Sequence, residues 1–160
     1  MSVILADTTV LNNFAQVGQP DLLRKVFTDL SAPTEVREEL AEGERRGLVP
    51  ICDWSWLAVI EPTDAEQLHA SELKSSVGAG EAACIAILVS RGGLLLTDDG
   101  PARHLAASLG VEISGTIGVL NKLVQGRILG LKKGDELLQG MRARGYWSPV
   151  RSLSEIALKP

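Results

Sequence analysis

The chain has 160 residues, of which 45% are hydrophobic and 22% charged, a composition typical of one ordinary globular domain. Its formal net charge of −4 does not by itself indicate a nucleic-acid-binding protein, and its apolar runs are too short to cross a bilayer. Its two cysteines, Cys52 and Cys84, lack the close partners of a disulfide framework or structural zinc site. From the length, the composition and the short apolar runs we expect a single cytoplasmic domain over residues 1–160 without a signal peptide.

Short apolar runs alternate with segments of helical periodicity, the pattern of a parallel sheet built from strand–helix units. We predict strands at about residues 3–6, 30–32, 94–97 and 111–113. Predicted helices lie at about residues 10–16, 21–27, 33–45, 63–74, 81–90, 101–109, 116–125 and 133–144. A capping box of Thr63 and Glu66 begins the fourth of these helices. The order predicts an α/β fold with a central parallel sheet.

Carboxylates follow two of the predicted buried strands. Asp7 comes directly after the first strand, and Asp98 and Asp99 come after Leu94–Thr97. The carboxyl edge of an open parallel sheet is the usual ligand crevice. Glu81, at the start of an almost wholly apolar helix, joins this set, although helix capping and the helix dipole are the alternative reasons for Glu81 and for one of the two aspartates.

One glutamate of the third predicted helix is expected to face inward. Val36 and Leu40 define the apolar stripe of that helix, and at 3.6 residues per turn Glu39 lies about 60° from Val36. Glu38 lies nearly opposite the stripe. From periodicity alone, an inward role and a solvated position remain open for Glu39, whereas a solvated position is favoured for Glu35, Glu38 and Glu42.

The residues in this order resemble the PIN-domain ribonucleases, and the resemblance covers nearly the whole chain. A Pro-x-x-Val-x-x-Glu-Leu helix spans residues 33–40, and a Gly-Glu-Ala helix start spans residues 80–82. An Asp-Asp-x-x-Ala-Arg turn spans residues 98–103, and a Gly-Thr-Ile-Gly-Val-Leu segment spans residues 115–120. A Gly-Tyr-Trp-Ser segment follows an Arg-rich helix near the end of the chain. The pattern is similar to the bacterial and archaeal branch of these proteins.

The resemblance implies a three-layer α/β/α fold and an endoribonuclease that uses Mg²⁺ or Mn²⁺. It implies a VapC-like toxin component of a toxin–antitoxin pair, with RNA as substrate, a small antitoxin protein as possible partner and a homodimeric state. The implied catalytic and metal-binding residues are Asp7, Glu39, Glu81 and Asp99, with Asp98 as the alternative to Asp99. Thr8 or Thr9, Thr97 and Arg103 would be supporting or substrate-binding groups. Glu81 departs from the commoner toxins, which have Asp at this position.

Carboxylates also fit this chemistry without the resemblance, because hard divalent cations take oxygen ligands and can activate water for attack on a phosphodiester. No G-x-x-x-x-G-K-[ST] phosphate loop occurs, and the second Asp of a haloacid-dehalogenase-type phosphotransferase is replaced by Thr9. The main alternative is a non-catalytic PIN-like domain that binds RNA or protein and keeps a vestigial acidic pocket. Trp54 and Trp56 would lie on one strand face, where they could stack bases, form a dimer contact or pack in the core, and core packing is favoured.

The charges are unevenly distributed along the chain. Residues 117–160 contain eight Lys and Arg against three Asp and Glu, so the excess of negative charge lies entirely in residues 1–116. The pattern favours equally a phosphate-facing rim and an ordinary solvated helical surface. The basic residues concerned are Lys122, Arg127, Lys132, Lys133, Arg142, Arg144 and Arg151.

Overall fold

A computed structural model describes residues 2–157. It has a central sheet of five strands, all parallel, in the order β3-β2-β1-β4-β5. The strands are β1 (Val3–Ala6), β2 (Leu30–Pro33), β3 (Ala58–Ile60), β4 (Gly93–Leu96) and β5 (Glu112–Ser114). The helices of the described residues are α1 (Thr8–Gln16), α2 (Leu22–Val26), α3 (Thr34–Arg45), α4 (Asp64–Leu73), α5 (Ala79–Arg91), α6 (Gly100–Ser108), α7 (Thr116–Gln125), α8 (Leu131–Ala143) and α9 (Ser154–Ala157). The predicted three-layer α/β/α fold is confirmed.

Both faces of the sheet are covered. Successive side chains of a strand point to opposite faces, yet Leu5 and Ala6 in β1 are both 0% exposed. Leu95 and Leu96 in β4 are equally inaccessible. Helices therefore pack on each side of β1 and β4, which explains why these strands are continuous apolar runs rather than alternating ones.

The predicted strand around Trp54 and Trp56 is wrong. Residues 54–57 form a turn, and β3 begins after it at Ala58, which pairs with Ser31 of β2. The two indole rings contact each other with their centroids 5.8 Å apart, and Trp54 is only 4% exposed. Trp54 therefore packs in the core, and its alternation with Trp56 does not reflect a strand face.

Helix α5 is the most buried helix beside the sheet, with residues 82–88 all buried, and it contacts β1, β2 and β4. Helix α4 packs along it, and a salt bridge fixes the pair: Arg91 Nε and Nη2 donate to the Glu66 carboxylate at 2.9 and 2.7 Å. Glu66 also completes the predicted capping box with Thr63. Across residues 2–157 we find no helix with the length and apolar character needed to span a membrane.

The start of β4 requires a glycine. Gly93 has a φ of 139°, and a Cβ atom placed there would overlap the backbone of Val3 in β1. This conformation is open to glycine but strained for other residues. The close approach sets the register of β4 against β1, in which Leu96 pairs with Ala6. Asp7 and Thr97, the next residues of each strand, therefore emerge side by side at the carboxyl edge of the sheet.

Candidate active site

The acidic side chains gather where the strand order reverses. Strands β1 and β4 are neighbours in the sheet, but the chain leaves β1 toward β2 on one side and β4 toward β5 on the other. Such a switch point opens a crevice at the carboxyl edge of a parallel sheet. Asp7 follows β1 and Asp98 and Asp99 follow β4, so the structure brings these residues together as the sequence predicts.

Asp7 is held rigidly at the bottom of the crevice. Its side chain is buried, and Oδ1 accepts hydrogen bonds from the Thr9 backbone N–H at 3.0 Å and the Thr9 hydroxyl at 2.5 Å. The Thr97 hydroxyl donates to Oδ2. Burial raises the pKa of Asp7 to about 7, the hydrogen bonds from Thr9 and Thr97 oppose this shift, and the charge of Glu81 adds to it. Thr97 thus fixes Asp7 directly.

Glu39 points from α3 toward the start of α5. Its Oε1 accepts a hydrogen bond from the Gly80 backbone N–H at 2.9 Å, and its Oε2 accepts one from the Thr8 hydroxyl at 2.8 Å. A Cβ atom at Gly80 would lie only 2.8 Å from each of these oxygens, so the close contact depends on glycine. Glu38 is exposed. The inward position of Glu39 agrees with the helix geometry, and its metal-binding role remains a prediction.

Glu81 lies in the first turn of α5, which begins at Ala79 rather than at Glu81 because Gly78 is the N-cap residue. The Glu81 side chain is partly buried. Burial raises its pKa, its own backbone N–H opposes the shift, and the charges of Glu39 and Asp99 raise it further. A nearby cation would offset both the burial of this carboxylate and its repulsion by the neighbouring ones.

Asp98 connects three parts of the fold. Its Oδ1 accepts a hydrogen bond from the Thr116 backbone N–H at 2.9 Å, and its Oδ2 accepts from the Thr116 hydroxyl at 2.5 Å and from Asn13 Nδ2 at 3.0 Å. The Asp98 backbone N–H donates to the Thr9 hydroxyl at 2.9 Å. The carboxylate therefore joins the β4–α6 loop to α1 and to the start of α7.

Asp99 is the N-cap residue of α6, because its Oδ2 accepts a hydrogen bond from the Ala102 backbone N–H at 2.9 Å. Its charge acts on Glu81, whereas three protein donors already engage the carboxylate of Asp98. Of the two adjacent aspartates, Asp99 is thus the one oriented toward the other acidic side chains, and Asp98 is oriented toward α7.

Arg103 supports the same loop from α6. Its Nη1 donates a hydrogen bond to the Thr97 backbone carbonyl at 2.9 Å. Arg103 is partly exposed, so one part of the guanidinium holds the loop and another faces the surface. A structural contact is therefore present at Arg103, and its predicted contact with phosphate remains a prediction.

Sequence reasoning missed several residues around the crevice. Asn13 and Thr116 are both buried and hold Asp98, and Asn13 Nδ2 also donates to the Thr116 hydroxyl at 3.1 Å. Thr116 is the first residue of α7, in the Gly-Thr-Ile-Gly segment, and that motif was the available signal. Nothing in the sequence singles out Asn13.

Tyr146 was also missed, and the solvated position expected for Glu35 is wrong. Burial raises the pKa of the Tyr146 phenol and the charge of Asp98 raises it further, while Arg103 opposes this, so the hydroxyl stays protonated beside both residues. Glu35 lies one turn before Glu39 on α3, and its Oε2 is buried with no hydrogen-bond partner among the described residues. Burial raises the pKa of the Cys84 thiol well above its usual value, and the charges of Asp7, Glu81, Glu39 and Glu35 raise it further.

The donor chemistry of the crevice fits a hard divalent cation. The candidate ligands are carboxylate oxygens, and burial, together with the charge of neighbouring carboxylates, raises the pKa of Asp7 and of Glu81. Within residues 2–157, however, no three Asp, Glu, His or Cys side chains are arranged closely enough to enclose an ion. Glu39 and Asp99 are turned to protein donors instead, so binding would require small side-chain rotations.

Two surface depressions border the segment that joins β4 to α6. One, of about 410 Å³, is lined by Glu81, Asp99, Lys74 and Pro101. The other, of about 490 Å³, is lined by Asp98 and Arg103 together with Tyr146 and Trp147. The predicted basic rim residues, Lys122 to Arg151, are all exposed.

The comparison with known families agrees with this geometry. Residues 3–159 match the family model described as the PIN domain, which is almost the whole chain. No curated protein matches the chain. Because the family match covers far more than half of the sequence, the chain belongs to the PIN-domain family. Members of this family are generally nucleases that use divalent metal ions.

Proposed function

We propose that this PIN domain is a metal-dependent endoribonuclease that hydrolyses RNA phosphodiester bonds at the crevice between β1 and β4. The observation that carries the proposal is the meeting of Asp7, Glu39, Glu81 and Asp99 at the carboxyl edge of the sheet, where burial and, to a lesser extent, neighbouring carboxylates raise the pKa of Asp7 and of Glu81. Carboxylates crowded in this way are costly unless a cation shares their charge.

The four carboxylates would hold Mg²⁺ or Mn²⁺. When bound, such an ion supplies a Lewis acid that lowers the pKa of water and neutralises charge on the phosphodiester. The chain itself supplies position: Thr9 and Thr97 fix Asp7, and Gly80 leaves space for Glu39. Arg103 lies at the edge of the site, where its free N–H groups would orient the phosphate.

The test is cleavage of a partly single-stranded RNA by the purified protein with Mn²⁺, Mg²⁺ or EDTA. Asp7→Asn, prepared identically, controls for contaminating nuclease, and Glu38→Gln is the matched control on an exposed carboxylate of α3. We expect metal-dependent cleavage by the wild type and by Glu38→Gln, and none by Asp7→Asn. Equal loss in Glu38→Gln would contradict the assignment of Glu39 as the inward residue of α3.

One observation favours a second function, a non-catalytic PIN-like domain that binds RNA or protein. Glu39 and Asp99 are both hydrogen-bonded to backbone N–H groups in the described structure, as purely structural carboxylates would be. Isothermal titration calorimetry with Mn²⁺ separates the two functions. Metal binding lost in Asp7→Asn supports the nuclease, whereas absence of both metal binding and cleavage supports the binding domain.

The finer proposal is that the protein is the toxin component of a toxin–antitoxin pair, acts as a homodimer in the cytoplasm and is inhibited by a small antitoxin. Membership of the PIN-domain family supports it. Induced expression of the wild type in a bacterial host would arrest growth, and Asp7→Asn would not. Sedimentation of the purified protein as a monomer would exclude the homodimer.

A further inference from the structure

A cleft of about 490 Å³ adjoins the acidic cluster, and the proposed function does not account for its composition. Asp98 and Arg103 line it beside the β4–α6 loop, and Tyr146 and Trp147 line it from the segment that follows α8. Its volume is within the range of small-ligand sites, about 300–1,000 Å³. We call it the aromatic cleft.

Trp147 is the unusual residue of the aromatic cleft. Its side chain is 81% exposed, whereas Trp54 is 4% exposed. Trp147 also lines a second depression, of about 500 Å³, together with Arg142 and Ser148. The indole therefore stands between two depressions and presents its surface to solvent. An exposed large aromatic at a cleft is a common sign of a binding contact.

Arginines line both depressions beside Trp147: Arg103 lines the aromatic cleft and Arg142 the second depression. The carboxylate of Asp98, which also lines the aromatic cleft, already accepts hydrogen bonds from Thr116 and Asn13. In the part of the chain that the structure describes, Arg103 and Arg142 form no ion pair with Asp or Glu. Their guanidinium groups donate instead to neutral acceptors, as Arg103 does to the Thr97 carbonyl and Arg142 to Gln139 Oε1. The surroundings of the indole thus favour an anionic ligand with a flat apolar surface.

We infer that the aromatic cleft binds an unpaired base of single-stranded RNA, stacked on Trp147, with the adjoining backbone phosphate near Arg103. Stacking on an exposed aromatic between cationic side chains is the general mode by which proteins hold single-stranded nucleic acid. A duplex keeps its base faces covered, so the cleft selects unpaired segments.

This inference rests on the proposed function for the direction of the strand. The aromatic cleft and the acidic cluster share the loop of Asp98 and Asp99, so a strand anchored at Trp147 would pass over that loop into the acidic crevice. The cleft would then determine which phosphodiester reaches the carboxylates. Its substrate class is RNA with at least one unstacked base beside the scissile bond.

The experiment measures binding separately from cleavage. The fluorescence anisotropy of a short fluorescein-labelled single-stranded RNA is titrated with protein in EDTA, so that the RNA stays intact. We expect Trp147→Ala to weaken binding about tenfold or more, since one stacked base contributes about 1–3 kcal/mol, and Trp147→Phe to stay within about threefold of the wild type. Ile51→Ala, at a side chain 84% exposed outside the lining of the cleft, controls for loss of surface apolar area.

Inorganic polyphosphate is the second probe, because it carries phosphates but no bases. The affinity of polyphosphate, measured by its competition with the labelled RNA, should be the same for Trp147→Ala as for the wild type. The inference is overturned if Trp147→Ala binds the RNA as the wild type does, if Ile51→Ala shows the same loss, or if polyphosphate binding falls in parallel. A wild type that binds no single-stranded RNA overturns it as well.

The two proposals fail separately. Metal-dependent RNA cleavage with binding that is insensitive to Trp147 would leave the nuclease and remove the stacking site. Trp147-dependent RNA binding by a wild type that neither binds Mn²⁺ nor cleaves would leave the stacking site and remove the nuclease.

Discussion

The two adjacent aspartates after β4 are predicted to have separate tasks, and replacing each one tests this. Asp98→Ala removes three hydrogen bonds, from the Thr116 backbone N–H, the Thr116 hydroxyl and Asn13 Nδ2. Thr116 is fully buried, so water has little access to the donors left behind. Asp99→Asn, in contrast, keeps the side-chain oxygen that caps α6, and Asn and Asp are about equal as N-cap residues.

The expected magnitudes differ accordingly. A hydrogen bond to a charged group contributes about 1.5–3 kcal/mol, but Asp98 is partly exposed and Asn13 keeps its bond to Thr116, so we expect Asp98→Ala to lower the free energy of unfolding by about 2–4 kcal/mol. For a chain of this size the melting temperature would fall by about 4–16 °C. Asp99→Asn should cost no more than about 1 kcal/mol, the lost helix-dipole interaction.

The assay is urea unfolding followed by circular dichroism, with RNA cleavage measured on the same preparations. We expect Asp98→Ala to shift the midpoint with an unchanged slope, and Asp99→Asn to keep the midpoint but lose cleavage. An Asp98→Ala protein as stable as the wild type to within about 0.5 kcal/mol would refute the structural role of Asp98. Loss of stability in Asp99→Asn comparable with that of Asp98→Ala would refute the division of tasks.

Three further predictions concern the crevice and its support. Burial raises the pKa of Asp7 from 3.8 to about 7, so the ionised side chain destabilises the fold, and the free energy of unfolding falls as the pH rises from about 4 through 7. Asp7→Asn should therefore unfold at a higher urea concentration than the wild type at pH 8 in EDTA. An Asp7→Asn protein that is less stable than the wild type under these conditions would contradict the burial argument. Hydrogen bonds from Arg91 lower the pKa of Glu66 from 4.5 to about 2. The ionised Glu66 therefore stabilises the fold by roughly 1–2 kcal/mol, after allowance for the exposure of Arg91. This stabilisation is complete above pH 4.5 and disappears toward pH 2. The stability deficit of Glu66→Gln relative to the wild type should accordingly shrink over that interval in urea titrations, and a constant deficit would show that charge is not the cause. Gly80→Ala should displace the Glu39 carboxylate and lower Mn²⁺ affinity in calorimetry by about tenfold or more, as loss of a ligand-positioning contact does, whereas Gly130→Ala, where a Cβ atom meets nothing within 4 Å, should not.

Sequence reasoning reached the parts of the site that depend on local periodicity. Val36 and Leu40 orient α3, and that orientation places Glu39 inward. The apolar runs before Asp7 and Asp98 similarly reveal strands buried on both faces. These features follow from the periodicity of helices and strands, which is visible in the order of residues close together in the sequence.

The parts that were missed depend on contacts between distant segments. The roles of Asp98 and Asp99 could not be separated because their hydrogen-bond partners differ only in space: Asp98 bonds to Thr116, and Asp99 caps its own helix. Strand β3 was overlooked because Trp54 and Trp56 alternate like strand residues while β3 itself has only three residues. Asn13 lies 85 residues from Asp98 in the chain, and no local pattern marks it.

The pairing of β1 with β4 has a consequence for how the protein becomes active. Ile4 pairs with Leu94, and the hydrogen bond from the Thr97 hydroxyl to Asp7 closes a loop of 90 residues. Contacts of such long sequence separation form late, because a large loss of chain entropy precedes them. During synthesis, α1, β2 and α3 leave the ribosome well before β4 can insert beside β1, so the crevice is assembled only when most of the chain has been translated. The proposed nuclease site is therefore absent from a nascent chain until β4 has been translated.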